Sequence, residues 1–199
     1  MMYKRAKYVI WPVILALLVA FSAGCAREVP STGDTPAAVG SPGQLQVYFP
    51  RAGQDPAPEL VSLYGQARNS LDVAIYSLTH PQIVEAIIDA HKRGVQVRVI
   101  TDRRSAEENT QKHAIRALLL AGVPVMVNEH SGLMHLKMSI IDGRLATTGS
   151  YNYTRSASER NDEMFVVSTD VNFVRACQKE FDRMWTDEKN FTRLKSTGY

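Results

Sequence analysis

LDVAIYSLTHPQIVEAIIDAHKRGVQVRVIT, residues 71–101, changes rhythm twice. LDVAIYSL (71–78) is an almost unbroken apolar run of strand length. His80-Pro81 then opens a helix through IVEAIIDAHKR, because proline is tolerated in a first helical turn, and Gly94 closes it. GVQVRVIT (94–101) is a second strand. Two strands joined by a helix of this length run parallel, with the helix packed on the sheet.

The same rhythm extends outward. AEENTQKHAIRALLLAG (106–122) predicts the next helix and VPVMVN (123–128) the next strand. Upstream, LQVYF (45–49) reads as a strand, and PELVSLYGQARNS (58–70) spaces Leu60, Val61, Tyr64 and Ala67 as an amphipathic helix does. Downstream the pattern switches to a strand from His135 to Ile141, a two-residue Asp142-Gly143 hairpin, and a returning strand from Arg144 to Thr148. EMFVVS (163–168) predicts one more strand and VNFVRACQKEFDRMW (171–185) a final amphipathic helix. The class is α/β, a mixed β-sheet flanked by helices, in one domain over residues 44–199 without internal repeats.

Ahead of that domain, Lys4, Arg5 and Lys7 precede an apolar run from Val9 to Ala23. Small residues then lead to Cys25, the order of a secretory signal. Residues 1–24 read as a signal peptide of lipoprotein type, with Cys25 as the lipidation site; an ordinary cleaved signal and a retained anchor stay open. The run is short for a span and holds Pro12. Each alternative places the domain outside the cytoplasm: membrane-tethered in the first reading, secreted or periplasmic in the second. Residues 25–43, rich in Pro, Gly, Ser and Thr, form a flexible linker. Cys177 then has no internal partner and reads as a small buried hydrophobe.

The chain carries 45% hydrophobic and 22% charged residues, a globular composition, with a net charge of +3. Setting aside Lys4, Arg5, Lys7, Arg27, Glu28 and Asp34 leaves 19 basic against 18 acidic residues from position 44 onward. Bulk charge therefore does not point to nucleic acid, and attraction to phosphate has to be local.

HLKMSIIDGRLATTGSYNYT, residues 135–154, supplies a local site. Alternation puts His135, Lys137 and Ser139 on one strand face and Leu136, Met138 and Ile140 on the other, toward a core. Neighbouring cations on one face need an anion between them, and a phosphate fits. An imidazole attacks phosphorus or relays protons near neutral pH, and a lysine beside it neutralises phosphoryl oxygens without a metal. Gly149-Ser150-Tyr151-Asn152 adds a glycine turn with hydroxyl and amide donors, and Glu163 is placed to accept from the second nitrogen of His135.

His135-x-Lys137, four residues, Asp142, six residues and Gly149-Ser150, with Asn161-Asp162-Glu163 beyond, resembles the HKD pattern of the phospholipase D superfamily. The resemblance runs through residues 44–185, and with one motif copy the chain is similar to the small bacterial nuclease members first and the single-motif mitochondrial members second. It implies an α-β-α sandwich with helices on both faces and a phosphodiester hydrolase without cofactor. His135 would form a phosphohistidine or protonate the leaving oxygen. Lys137 and Asn152 would hold phosphoryl oxygens with Ser150 nearby, Glu163 would orient His135, and Asp142 would be structural or catalytic.

In-line displacement through a phosphohistidine needs a second histidine. His91 and His113 read as solvated helix residues, while His80 and His130 lie in loops toward the mouth of the site, as substrate contacts or ordinary loop residues. None precedes a lysine by two positions, so the resemblance implies a homodimer in which each copy contributes one His135, Lys137 pair. Arg103, Arg104 and Arg155 would line a groove for nucleic acid or stand as surface charge. Tyr151 and Tyr153 would stack on bases or pack in the core. The first expectation is an endonuclease, the alternative a phospholipase D acting on phosphatidyl lipids from its membrane tether, and the third an inactive phosphate-binding module.

Overall fold

The computed structural model describes residues 43–195; the signal segment, Cys25 and the linker up to residue 42 lie outside the described residues. β1 (Leu45–Tyr48) leads into α1 (Ala57–Gln66), followed by β2 (Ser70–Ile75), α2 (Pro81–Lys92) and β3 (Gln96–Thr101). Then come α3 (Arg103–Glu107), α4 (Asn109–Leu120), β4 (Val125–Asn128) and the hairpin of β5 (Lys137–Ile141) with β6 (Leu145–Gly149). The short α5 (Arg155–Glu159), β7 (Phe165–Ser168), α6 (Val171–Thr186) and β8 (Phe191–Arg193) follow.

Among the described residues the strands make one sheet in the order β1-β7-β6-β5-β2-β3-β4-β8. β2, β3 and β4 run parallel, as the 71–101 rhythm requires, and every other pairing is antiparallel. Helices cover both faces. On one, Leu60, Tyr64, Ile83, Ile87, Ile115 and Leu118 of α1, α2 and α4 belong to the core built on Leu71, Val73, Val99 and Val125. On the other, Val174, Cys177, Phe181 and Met184 of α6 share a core with Ala74, Ile100, Met138, Ile140 and Ala146. Each such fully buried large apolar side chain contributes about 1.5–3 kcal/mol, an upper figure for folding. α6 is also held by charge: the buried Asp72 accepts both arms of Arg98 at 2.7 Å, and the same guanidinium reaches Asp182 at 2.7 Å.

Several sequence expectations change. The 106–122 helix is two helices, because Glu108 is extended between them (φ −64°, ψ 134°) and Asp102 caps α3 through the Ser105 amide. β8 and α5 carry no periodic signal in the sequence. The ladder between β2 and β5 ends at the Ile75–Lys137 pair. Leu136 therefore stands beyond the sheet, 38% exposed and not in the core as expected, while Met138 and Ile140 do face α6. Ser139, on the face of Lys137, is fully buried: its hydroxyl lies 2.6 Å from Tyr64 Oη and 2.7 Å from Tyr153 Oη.

The β5–β6 turn has three residues between the paired Ile141 and Leu145, with Asp142 and Gly143 both at positive φ, 53° and 61°. Asp142 holds that costly conformation because its carboxylate accepts the backbone N–H groups of Arg68, Asn69 and Ser70 and the Arg144 guanidinium. Burial alone would raise its pKa, but these donors outweigh burial and hold the carboxyl below its ordinary value. Asp142 is thus a clamp between the hairpin and the α1–β2 loop. It sits five residues up the strand from Lys137, about 16 Å away, and this set of contacts matches the structural of its two readings.

Candidate active site

The carboxyl ends of β2 and β3, the start of β5 and the end of β6 come together at one end of the sheet. The loop that brings His135 there is pinned from three sides. Asp102 accepts the Met134 amide at 3.0 Å, Tyr76 N–H donates to the Leu136 carbonyl at 2.9 Å, and Asn128 Nδ2 donates to the Gly132 carbonyl at 2.9 Å. With both neighbours of His135 tied to the scaffold by backbone bonds, the ring is presented to solvent from a fixed stem.

Lys137 Nζ lies 3.2 Å from Nδ1 and 3.1 Å from Nε2 of His135 and donates to the His135 carbonyl at 2.9 Å. The ammonium is a donor only, so the imidazole offers it a lone pair. Tyr76 floors both groups: its ring centroid is 4.6 Å from that of His135 and 5.0 Å from Lys137 Nζ. Burial pushes the Lys137 pKa down, and the charge of Glu163 offsets part of that. A desolvated cation with a π face on one side and an imidazole on the other has strong reason to take up a phosphoryl oxygen.

The turn after β6 supplies the second group. Gly149 has φ 140°, and a side chain there would overlap the Met164 carbonyl. Without that side chain Ser150 closes onto the far strand: its N–H donates to Met164 O at 3.0 Å, and its Oγ donates to Glu163 Oε2 at 2.5 Å. The other Glu163 oxygen accepts Asn161 Nδ2 at 3.0 Å. Glu163 thus orients Ser150, and it makes no bond to His135 among the described residues, so the expected Glu163–His135 contact is absent within one chain. Asn152 sits between the fully buried Tyr151 and Tyr153, and its Oδ1 is buried without a hydrogen-bond partner, an unmet polar atom beside the turn.

Tyr151 and Tyr153 are core residues, as their packing reading has it, and Cys177 is buried and free. His80 is buried at the start of α2, where its N–H donates to the Tyr153 carbonyl at 2.9 Å, and burial lowers its pKa. His130 is exposed and packs edge-on against Phe191 beside a hollow of about 380 Å³ that His135 also lines. His113 is exposed as expected, but His91 is half-buried with an unpartnered Nδ1. The Arg103 guanidinium is engaged by Glu129 and by the Asn128 carbonyl, so it is not a free groove cation, whereas Arg104 and Arg155 are exposed. Tyr76 and Asp102 are the site residues that sequence reasoning missed. An Asp-x-x-Ser step after a strand was the available signal for Asp102 as a cap.

Comparison with known proteins gives a consistent set of likenesses. Residues 60–185 match the family described as cardiolipin synthase, PLD-like domain. The mitochondrial cardiolipin hydrolase of Xenopus laevis is 38% identical over 129 residues, 64% of this chain and 60% of that protein. The chain spans between half and two thirds of the length of the curated relatives it matches. Among solved structures, Nuc from Salmonella typhimurium, a phospholipase D family member, superposes with a TM-score of 0.70 at 25% identity over 77% of this chain and 99% of that one. NucT from Helicobacter pylori gives a TM-score of 0.64 at 25% identity over 72% and 96%.

Proposed function

The chain belongs to the phospholipase D superfamily, by the PLD-like domain that matches residues 60–185, and from that premise we propose that it hydrolyses phosphodiesters through a phosphohistidine on His135. The observation that carries the reading is the His135–Lys137 pair, an imidazole at the surface with a buried ammonium within 3.2 Å of both ring nitrogens.

In the reaction, a His135 ring nitrogen attacks phosphorus, and the bond from phosphorus to the leaving oxygen breaks as that oxygen takes a proton from a second imidazole. Water then attacks phosphorus, passes a proton to the second imidazole, and displaces His135, releasing a phosphomonoester. Lys137 and the Asn152 amide hold the non-bridging oxygens, with Ser150 beside them. The second imidazole is His135 of another copy in a two-fold dimer, the symmetry that sets like residues face to face. Asp142 takes no part.

The substrate we favour is a phosphatidyl lipid. Arg103 is neutralised by Glu129, which removes one of the cations a nucleic-acid groove would use. Leu133 and Leu136, 44% and 38% exposed, flank His135 with apolar surface instead. The Xenopus relative, named for cardiolipin hydrolysis, supports the same class. The endonuclease, the first expectation from sequence, becomes the second reading, supported by likeness to nearly the whole of Nuc.

The test uses the full chain and its His135→Asn variant in excess EDTA. Each receives labelled single- and double-stranded oligonucleotides and, in parallel, vesicles of cardiolipin and phosphatidylcholine. Histidine-dependent release of phosphatidate from the vesicles alone is the expected result. Cleavage of oligonucleotides alone would replace it with the nuclease reading, and turnover surviving in His135→Asn would overturn the mechanism.

A further inference from the structure

Asn152 stands between two buried tyrosines, and each directs its hydroxyl to a serine. Tyr151 Oη lies 2.6 Å from Ser158 Oγ on α5, and Tyr153 Oη lies 2.7 Å from Ser139 Oγ on β5. The second bond reaches the strand that carries Lys137, two residues and about 7 Å along from it. Tyr64 Oη is 2.6 Å from the same serine oxygen, and Tyr64, Ser139 and Tyr153 are all fully buried.

The backbone does not make that connection. The β5–β6 ladder stops at the Ser139–Thr147 pair, so it does not join Lys137 to the turn that follows β6. Tyr153 N–H donates to the Ser77 carbonyl at 3.0 Å, and the Tyr153 carbonyl accepts the Thr79 and His80 N–H groups at 2.9 Å. These three bonds tie the Asn152 segment to the loop after β2 and leave its spacing from β5 unset. Where the ladder stops, hydroxyls continue it: Thr147 Oγ1 accepts the Ser139 N–H at 3.1 Å, and Ser139 Oγ meets Tyr153 Oη.

A phenol in a core adds little stability over phenylalanine, because its hydrogen bond mainly offsets its own desolvation. Deleting the Tyr153 hydroxyl also orphans nothing, since Ser139 Oγ keeps Tyr64 and Thr147 Oγ1 keeps the Ser139 amide. What the hydroxyl supplies is a fixed length and direction between two polar groups, which dispersion contacts do not set. Burial raises the Tyr153 pKa, so the group stays a neutral phenol.

We propose that the Tyr153 hydroxyl, through Ser139, is a positioning group that holds Asn152 at a set distance from Lys137, so that both meet oxygens of one phosphoryl group. This rests on the roles proposed for Lys137 and Asn152 in phosphodiester hydrolysis. Tyr153 touches no substrate and acts only through Asn152.

The test is a double-variant cycle in the full chain: wild type, Tyr153→Phe, Asn152→Ala and both together. Each is read by kcat on a soluble chromogenic phosphodiester, by NMR titration with inorganic phosphate and by its urea midpoint. Tyr153→Phe is expected to lower kcat about tenfold and to weaken phosphate binding severalfold, with a urea midpoint near wild type. Added to Asn152→Ala, it should change neither reading further. Tyr64→Phe removes an equally buried phenol from the same serine but spares the Ser139–Tyr153 bond, and should keep the wild-type kcat. Wild-type kcat and phosphate affinity in Tyr153→Phe overturn the proposal. So do losses that add to those of Asn152→Ala, an equal loss in Tyr64→Phe, or a Tyr153→Phe chain that does not fold. A wild-type chain that turns over no diester yet shows the coupling in phosphate binding removes the hydrolase and keeps the positioning role. Turnover without coupling removes the role alone, and a chain with neither turnover nor phosphate binding removes both.

Discussion

The Asp102 carboxylate accepts the Met134 amide at 3.0 Å, and the next residue along the chain is His135. A side chain at the end of β3 therefore sets the height of the proposed nucleophile without touching it. The same carboxylate caps α3, so one buried group holds both the helix and the loop.

Replacing Asp102 with Ala removes the cap and leaves a buried N–H unmet, at a cost of about 2–4 kcal/mol in all. The urea midpoint should fall accordingly. Among molecules still folded, kcat on a soluble phosphodiester should drop more than KM rises, because the stem of His135 loosens. An unchanged kcat would leave Asp102 with only its structural part.

Lys137 yields a pH prediction. Burial lowers its pKa from 10.5, so the folded state holds this proton less tightly than the unfolded chain does. Keeping the ammonium charged then costs stability below the lowered pKa, and that cost is relieved as pH rises through it toward 10.5. Activity should run the other way and decline over the same alkaline window as the charge is lost. A pH–rate profile should show this limb, and Lys137→Arg should move it upward if any activity survives.

Lys137→Met should abolish turnover while leaving the urea midpoint unchanged or higher, since a thioether suits a buried position better than an ammonium does. A marked loss of stability would mean that the pair with His135 supports the fold.

Asp142→Ala should do the reverse. Loss of a carboxylate that gathers three backbone N–H groups and Arg144 should cost about 2–4 kcal/mol, while kcat on a soluble diester stays at the wild-type value. Because its pKa is depressed, the wild-type contribution is complete above the unfolded value near 3.9 and fades as pH falls through the folded one. The stability gap between wild type and variant should therefore narrow in acid.

The parallel core was legible because residues 71–101 alternate an apolar run, a helical period and a second run, the first ended at Pro81 and the helix at Gly94. The hairpin was legible because Asp142-Gly143 is one of few pairs that accept positive φ together. β8 was not, because three residues made a strand only by pairing with the edge of β4. The break at Glu108 carries neither Gly nor Pro to announce it. In the site, His135, Lys137, Ser150 and Glu163 stood out as candidates by type and spacing. Tyr76 and Asp102 act across strands, one through a ring face and the other through a backbone amide. Such contacts follow from register, which local pattern does not contain.

The sheet order places the first strand of the described chain at one edge and the last at the other, with seven strand spacings, about 34 Å, between them. The ends of the domain are consequently poles rather than neighbours. A fluorescent protein or affinity tag joined after β8 would ride on the edge opposite β1.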